Sequence, residues 1–469
     1  MHRALLAVSL LTTAAALAAV PGAVAAPSTP LNVDVSQRHL NESEEAIAIN
    51  PTNPNNVVVF TNVGHREAGL AAGMFLAVSF DGGKTWTRRL VGLGADDPLG
   101  DSCCDPSLSF DRYGNLFMTY LFQAENTVPV ALSTDGGLTF KVVANIPAPP
   151  KGTPAKAAGD NRGLFRFVDQ PTIVAGHGEV WVVLNAGGPM FATGASVAGL
   201  GQVGSFFTGE VVPGTNNCTY GEIAIGPAGQ VMQVCTLTES GQGGGKLFVN
   251  VDPDGLGPAG FGGRTFVTHT HVGGFDFIAP QPDRSVDAEP GLAWDTGAAH
   301  NGRVYLVYSA ENPNESDNLD IYVRHSDDSG ATWSDPVRVN EDATTNSQFL
   351  PKISLDPTTG NLAVIWYDAR ADLGAGGPGD TDGVPNDDAQ LWGAFSTNGG
   401  ASFTPNIQIS AGTSNSQDSG NGIDYGDYTG LSFFGGVAHP GWSDNSNSTG
   451  TNPDGALHQL DIYTAAVRP

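Results

Sequence analysis

The sequence predicts an all-β protein made of repeated units, and three observations support this fold class. A short phrase in the frame S-x-D-x-G-x-T-W recurs, with conservative changes, at Ser79–Trp86, Ser133–Phe140, Ser326–Trp333 and Ser396–Phe403. The chain contains 62 glycines and 31 prolines, which suits many turns, and no long segment shows helical periodicity. Short apolar segments lie between these turn residues. A repeat of this length indicates stacked structural units.

Each copy of the phrase has the chemistry of a tight turn between two strands. Asp or Asn followed by Gly suits the turn backbone, the Ser and Thr hydroxyls can bond that backbone, and the aromatic ring can bury against the next strand. The phrase resembles the Asp box, or bacterial neuraminidase repeat, of sialidase-type β-propellers. The resemblance covers nearly all of residues 26–469. It implies a propeller in which the box is a folding element away from the catalytic face.

Within such a propeller the strand segments fall into seven sets, each a four-stranded meander. The seventh set has three strands, Asp427–Phe433, Gly436–Trp442 and Leu460–Val467, and lacks a fourth. Leu31–Ser36 precedes the first set and has the pattern of an outer strand. We therefore predict a seven-bladed β-propeller, with six blades as the alternative, closed by this N-terminal strand so that no sheet edge stays open. The part of the third set after Leu184 is expected to be irregular.

The N-terminus has the pattern of a secretory signal. Arg3 is followed by the apolar run Ala4–Val20 and by the small residues Ala23–Ala25. We expect residues 1–25 to be removed and residues 26–469 to form one secreted, extracellular domain with no membrane span. The formal net charge of −27 argues against nucleic acid as a partner, because phosphates would be repelled.

Four cysteines in an exported chain predict disulfides. Cys218 and Cys235 flank a strand–turn–strand segment, and folding it about its turn brings them opposite each other, so we predict a Cys218–Cys235 bridge. The adjacent pair Cys103 and Cys104 leaves several states open: a vicinal bridge, two free thiols, a copper ligand pair, or bonds to another chain.

Carboxylates precede the first strand of almost every set. They are Glu44, Glu45, Asp105, Asp169, Glu222, Asp287, Glu289, Asp424 and Asp427. First strands of propeller blades line the central channel, so these acids are expected at its mouth. Like charges so close would raise each other's pKa or hold a cation. The alternative is that they bond backbone amides of the neighbouring blade.

A long loop of blade six is rich in oxygen donors around Gly383. Its candidate metal ligands are Asp368, Asp380, Asp382, Asp387 and Asp388. Calcium prefers six to eight hard oxygen ligands. We expect a structural calcium ion here and no organic cofactor, the alternative being a solvated acidic loop. The blade-five loop Glu311–Asp320 has a similar pattern.

The family resemblance also implies an activity, exo-α-sialidase-type glycoside hydrolysis. Such enzymes clamp the sugar carboxylate with three arginines and use a Tyr–Glu pair as the nucleophile. On the expected ligand face, the candidates for these roles are Arg284 and Arg370 as the clamp, Tyr425 or Tyr428 as the nucleophile, and Glu289 as its base. The family's Arg-Ile-Pro motif is absent, and Ser43–Ile47 stands at its position.

Three functions are therefore open: an exo-α-sialidase, a non-catalytic calcium-stabilised propeller that binds glycan or protein, and another glycan-active propeller, either a lyase or a non-sialic hydrolase. In each case we expect a glycan or glycoprotein ligand and a monomer.

Overall fold

The computed structural model describes residues 29–64, 69–122, 127–148, 168–297 and 299–469. The predicted signal segment, residues 1–25, lies outside the described residues. The described part contains 31 strands and one 3-10 helix, Gln417–Ser419. No helix in these ranges is long and apolar enough to cross a membrane.

The strands form seven sheets of four or five strands and one separate hairpin. The first strand of the chain is β1 (Asn32–Asp34). Blade one contains β2 (Glu42–Ile49), β3 (Val57–Val63), β4 (Met74–Ser79) and β5 (Thr87–Val91). Blade two contains β6 (Ser102–Phe110), β7 (Leu116–Phe122), β8 (Thr127–Ser133) and β9 (Lys141–Pro147). Blade three contains β10 (Asp169–Gly176), β11 (Glu179–Asn185), β12 (Met190–Gly199), β13 (Gln202–Val203) and β14 (Glu210–Val211). Blade four contains β15 (Cys218–Ile225), β16 (Val231–Thr238), β17 (Gly245–Asp252) and β18 (Thr265–Thr270).

A two-stranded hairpin, β19 (Asp276–Ile278) and β20 (Gln281–Val286), separates blades four and five. Blade five contains β21 (Gly291–Trp294), β22 (Val304–Ala310), β23 (Asp320–Ser326) and β24 (Val337–Arg338). Blade six contains β25 (Gln348–Leu355), β26 (Leu362–Asp368), β27 (Gln390–Ser396) and β28 (Ile407–Gln408). Blade seven contains β29 (Gly430–Phe434), β30 (Val437–Asp444) and β31 (Asp461–Ala465).

The last blade is completed by β1, which confirms both the seven-bladed architecture and its predicted closure. Strand β1 pairs antiparallel with β31, and Val33 lies opposite Thr464. Val35 is fully buried, and its N–H donates to the Ile462 carbonyl at 2.6 Å. The N-terminal strand thus supplies the fourth, outer strand of blade seven.

All four copies of the repeated phrase form the same turn between the third and fourth strands of a blade. In the first copy, the Ser79 hydroxyl donates to Asp81 at 2.8 Å, and the Thr85 hydroxyl and N–H donate to the same carboxylate at 2.7 and 2.9 Å. The other copies repeat this network, with Asn398 replacing the Asp in blade six.

The glycine at the fifth position of each box lies against the preceding blade. A Cβ atom on Gly137 would approach Val58 Cγ2 of blade one to 3.0 Å, and one on Gly330 would approach Met232 of blade four to 2.7 Å. The φ angles of these glycines are +97° and +84°, which other residues rarely adopt. The box therefore fits one blade to the next, as the resemblance implied.

Two segments differ from the sequence-based expectations. The expectation of an irregular remainder in blade three is wrong, because β12 pairs with β11 from Glu179 to Asn185. The β19–β20 hairpin was not predicted at all. The Cys218–Cys235 disulfide is present as predicted, and Cys103 is bonded to Cys104.

Candidate functional site

The channel along the propeller axis is lined by the first strands of the blades and opens at both ends. One end, here called the mouth, lies where these strands begin and holds a cavity of about 290 Å³. Glu45, Gln170, Tyr220, Lys352 and Tyr428 are among its lining residues. The Asp-box turns follow the third strands, so they lie at the opposite face of the ring.

The backbone enters the first strands through a repeated kink. In six blades a residue other than glycine has a positive φ at this point; these residues are Glu44, Asp105, Gln170, Tyr220, Glu289 and Leu350, with φ between 39° and 59°. In five of these blades the register of the following ladder shifts at the same place. Such bulges redirect side chains and are frequent beside functional sites.

Three of the carboxylates at the mouth each accept a hydrogen bond from a backbone amide of an adjacent blade. Asp105 accepts the Gln170 N–H at 2.8 Å, Glu44 accepts the Asp427 N–H at 3.1 Å, and Glu222 accepts the Leu292 N–H at 2.8 Å. For these three groups the alternative prediction, that the acids bond backbone amides of the neighbouring blade, is confirmed. Glu222 also pairs with Lys352 at 2.7 Å, which links blade four to blade six.

Other carboxyl groups at the mouth have few partners. Glu289 is 4% exposed, and its Oε2 has no hydrogen-bond partner among the described residues. Burial, with Asp287 and Asp427 nearby, raises the pKa of Glu289 well above its usual value, and a hydrogen bond from Tyr220 offsets only part of this rise. Burial likewise raises the pKa of Asp287 to about 7. Burial thus favours the protonated form of both carboxyl groups.

A second carboxyl pair joins blades two and three. Asp105 has a pKa well above its usual value because of burial and the adjacent Asp169, and burial also raises the pKa of Asp169. Two adjacent buried carboxyls resist ionising together, because each negative charge raises the pKa of the other. The mouth thus contains several carboxyl groups whose protonated form is favoured by burial.

Arg284 lies at the mouth and is bound by Asp427. Its Nε donates to Asp427 Oδ1 at 2.6 Å, and its Nη2 bonds Oδ2, so the pair is bidentate. Arg284 is carried by β20, and Asp424 holds that strand by accepting the Arg284 N–H at 2.9 Å and the Asp283 N–H at 2.8 Å. The guanidinium group is consequently neutralised by a carboxylate of the protein itself.

The structure brings some of the other predicted catalytic residues to the mouth and leaves others away from it. Tyr428 lines the mouth cavity, and burial together with Asp105 and Glu44 raises the pKa of its hydroxyl. Tyr425 is fully buried in the core and donates to the Ser414 carbonyl at 2.9 Å. Arg370 lies by the outer strands of blade six.

Arg370 is occupied by contacts within its own blade and the one before it. It donates to Asp368 at 2.7 Å and to Asn406 at 2.9 Å, and it stacks on the Trp392 ring at 4.3 Å. Arg284 and Arg370 are therefore not placed together as a carboxylate clamp. The partner of Glu289 is Tyr220, which sequence reasoning missed although it lies on β15, the first strand of blade four.

The predicted calcium ligands of blade six divide into two groups. Asp368 is fully buried and bonded to Arg370 and to the Trp366 indole, at 2.6 Å for the latter. Asp380, Asp382, Asp387 and Asp388 fall in two overlapping sets of acids that include Asp372, with candidate ligand atoms within 4.8 Å of one another in each set. Asp387 Oδ1 is buried without a partner. Asp372 was missed, although it lies in the same loop.

The BNR/Asp-box repeat model matches residues 77–88, which confirms the first box. Fold and repeat together define an Asp-box β-propeller. No curated protein matches the sequence. Among solved structures, the chain is similar to the α-L-arabinofuranosidase of Fusarium graminearum (12% identity, 73% of this chain and 93% of that chain, TM-score 0.45). It is also similar to the endosialidase of phage phi92 (10% identity, 94% of this chain and 69% of that chain, TM-score 0.49). A third similar structure is polysaccharide lyase Uly1 (10% identity, 96% of this chain and 94% of that chain, TM-score 0.49). At these identities the likeness concerns the fold alone.

Proposed function

We propose that this protein cleaves a glycosidic bond of an uncharged or cationic glycan at the mouth of its channel. The observation that carries the proposal is the set of buried carboxyls there whose pKa is raised, above all Glu289 and the adjacent Asp105 and Asp169. Glycosidic cleavage needs one carboxyl that protonates the leaving oxygen and a second that acts as nucleophile or base. The glycan as substrate class comes from the resemblance of the Asp boxes to sialidase-type propellers.

Glu289 is the proposed proton donor. Burial raises the pKa of its carboxyl group well above the usual value, which favours the protonated form that a proton donor needs. Tyr220 bonds the same carboxyl group and would stabilise it once the proton has left. The adjacent carboxyls Asp105 and Asp169 are the proposed source of the nucleophile or base. Positive charge developing on the sugar ring is favoured by the acids around it.

Electrostatics disfavours an acidic sugar as the substrate. A carboxylate clamp needs free guanidinium groups, but Arg284 is already bound by Asp427, and Arg370 lies by the outer strands of blade six. Bringing a sugar carboxylate among Glu44, Asp105 and Asp169 adds repulsion between like charges. Exo-α-sialidase activity is therefore the less favoured alternative within the same class.

A panel of aryl glycosides tests the proposal. We expect cleavage of neutral glycosides and none of a fluorogenic sialoside. Glu289→Gln should lower kcat about 100- to 10,000-fold for substrates with poor leaving groups, and much less for substrates whose leaving group departs without protonation. Asp283→Asn, an exposed change on the neighbouring hairpin, is the matched control and should leave the rates unchanged.

Two results would contradict the proposal. Cleavage of the sialoside alone would favour the exo-α-sialidase. Binding to a glycan array without turnover, unaffected by Glu289→Gln, would favour a non-catalytic binding propeller.

We also propose that the protein is exported. The Cys103–Cys104 and Cys218–Cys235 bonds support this location, because disulfides persist in oxidising compartments. Expression of the full chain with a secretion-competent host should place the folded protein, cleaved near residue 25, in the medium; retention of an uncleaved chain inside the cell would contradict export.

A further inference from the structure

A cluster of three acids lies between the β19–β20 hairpin and the long loop of blade five. Asp276 begins β19, Glu311 directly follows β22, and Glu315 lies four residues further along that loop. Each of the three offers a carboxylate oxygen, and these atoms all lie within 4.8 Å of one another. The cluster is separate from the mouth carboxyls and from the blade-six loop.

Most carboxylate oxygens of the two buried acids, Asp276 and Glu311, lack a hydrogen-bond partner among the described residues. Asp276 is 1% exposed, and neither of its carboxylate oxygens has a hydrogen-bond partner. Glu311 is 9% exposed; its Oε2 accepts the Ser316 N–H at 3.1 Å, while its Oε1 has no partner. A buried carboxylate without a partner is strongly destabilising unless it is protonated or binds a cation.

The groups that act on Asp276 are all acidic. The charged groups that act on the buried Asp276 carboxyl are Glu311, Glu315 and Asp317. The site concentrates negative charge where water is excluded, which is the electrostatic setting of a cation site.

We propose that Asp276, Glu311 and Glu315 bind a calcium ion. The donors are all carboxylate oxygens, the hard ligands that calcium prefers. The three oxygens all lie within 4.8 Å of one another, close enough to bind one ion together. Magnesium usually keeps several water ligands and is bound through one or two carboxylates, so a set of three protein carboxylates suits calcium better.

The ion would fix the hairpin to blade five. Asp276 pairs with Val286 across the hairpin, and the same second strand carries Arg284 to the mouth. The calcium ion therefore holds the base of the hairpin, and the Arg284–Asp427 pair holds its other strand. This role does not depend on glycan cleavage.

Metal binding to the full chain tests the inference. Protein treated with EDTA and then desalted is titrated with CaCl₂ or MgCl₂ in a calorimeter, and its melting temperature is recorded at pH 8. Because the blade-six loop is a second candidate, every measurement is made in an Asp387→Asn background as well. We expect a calcium-binding event that persists in Asp387→Asn and disappears in Asp276→Asn, with magnesium at least ten-fold weaker. Calcium at about 100 times its Kd should raise the melting temperature by roughly 3 °C.

Comparing the melting temperatures of Asp276→Asn and the wild type with and without calcium separates metal binding from a merely structural role. In EDTA, Asp276→Asn should melt above the wild type, because the buried charge is gone; in calcium it should melt below. Glu315→Gln should also weaken calcium binding. The exposed Asp283→Asn should change neither calcium binding nor the melting temperature. The proposal is overturned if Asp276→Asn retains the calcium event, or if it melts below the wild type equally with and without calcium.

Discussion

Glu45 allows a quantitative test of the acidic mouth. This residue lies on β2 and is 1% exposed; one carboxyl oxygen bonds the Ser443 hydroxyl, and Oε2 has no partner. Burial is the main reason that its pKa is raised from 4.5 to about 8, with a further rise from Glu44. In the folded protein Glu45 is thus protonated at neutral pH, whereas in the unfolded chain it is ionised.

The sign of the effect on stability follows from this difference. A raised folded pKa contributes stability that is fully present below about pH 4.5 and is lost as the pH rises through about 8. Since each pKa unit corresponds to about 1.4 kcal/mol, the loss across this window is about 5 kcal/mol for this one group. The glutamine in Glu45→Gln cannot ionise, so this variant does not lose that stability as the pH rises.

Urea unfolding followed by tryptophan fluorescence at pH 5, 7 and 9 measures the effect. We expect the free energy of unfolding of Glu45→Gln, relative to the wild type, to rise by several kcal/mol from pH 5 to pH 9, so that the variant is the more stable protein at pH 9. Asp96→Asn, at an exposed position, should follow the wild type. Parallel pH profiles for wild type and Glu45→Gln would show that the mouth does not hold this carboxyl in its neutral form.

Three further predictions concern the scaffold. Val35→Ala should lower the free energy of unfolding by about 2 kcal/mol, and deletion of residues 31–36 should lower the melting temperature much further; an unchanged melt would contradict closure by β1. Asp135→Ala should cost about 1–2 kcal/mol in urea unfolding, and Asp135→Asn less, because Asn398 in blade six accepts the Ser402 N–H and donates its side-chain amide to the Ser402 hydroxyl; equal losses would contradict this account of the box. If calcium binds the blade-six loop, EDTA should lower the melting temperature and Asp387→Asn should reduce that drop, whereas an identical EDTA response in this variant would place the ion elsewhere.

The parts of the fold that depend on local chemistry could be predicted from the sequence. The Asp-box turn is made within eight residues, so its Ser, Asp, Gly and Thr identify it directly. The closing strand was predictable because Leu31–Ser36 had no other partner. Strand β12 was missed because Gly194 and Gly199 interrupt its apolar pattern, although in the structure Gly194 gives room to the Trp181 ring. The β19–β20 hairpin carries Pro280 and several polar residues, so its sequence suggested a loop.

The candidate site was only partly predictable, for a different reason. The acids at the mouth could be named because each precedes a first strand. Their pairing could not, since it depends on which blades meet around the channel: Tyr220 and Glu289 are 69 residues apart, and Asp276 meets Glu311 across blade five. Arg284 and Arg370 both matched the expected residue type, but only contacts across the fold show that one lies at the mouth and the other beside Trp392.

The pairing of β1 with β31 has a consequence for rearranging this protein. Asn32 and Ala465 are direct neighbours in the sheet, so a short peptide can join the start of β1 to the end of β31 without crossing the ring. New ends can then be opened in a surface turn between any two other blades, and all four strands of blade seven become one continuous stretch of chain. Circularly permuted versions of this protein should therefore assemble the same ring, with the mouth left free of attached termini.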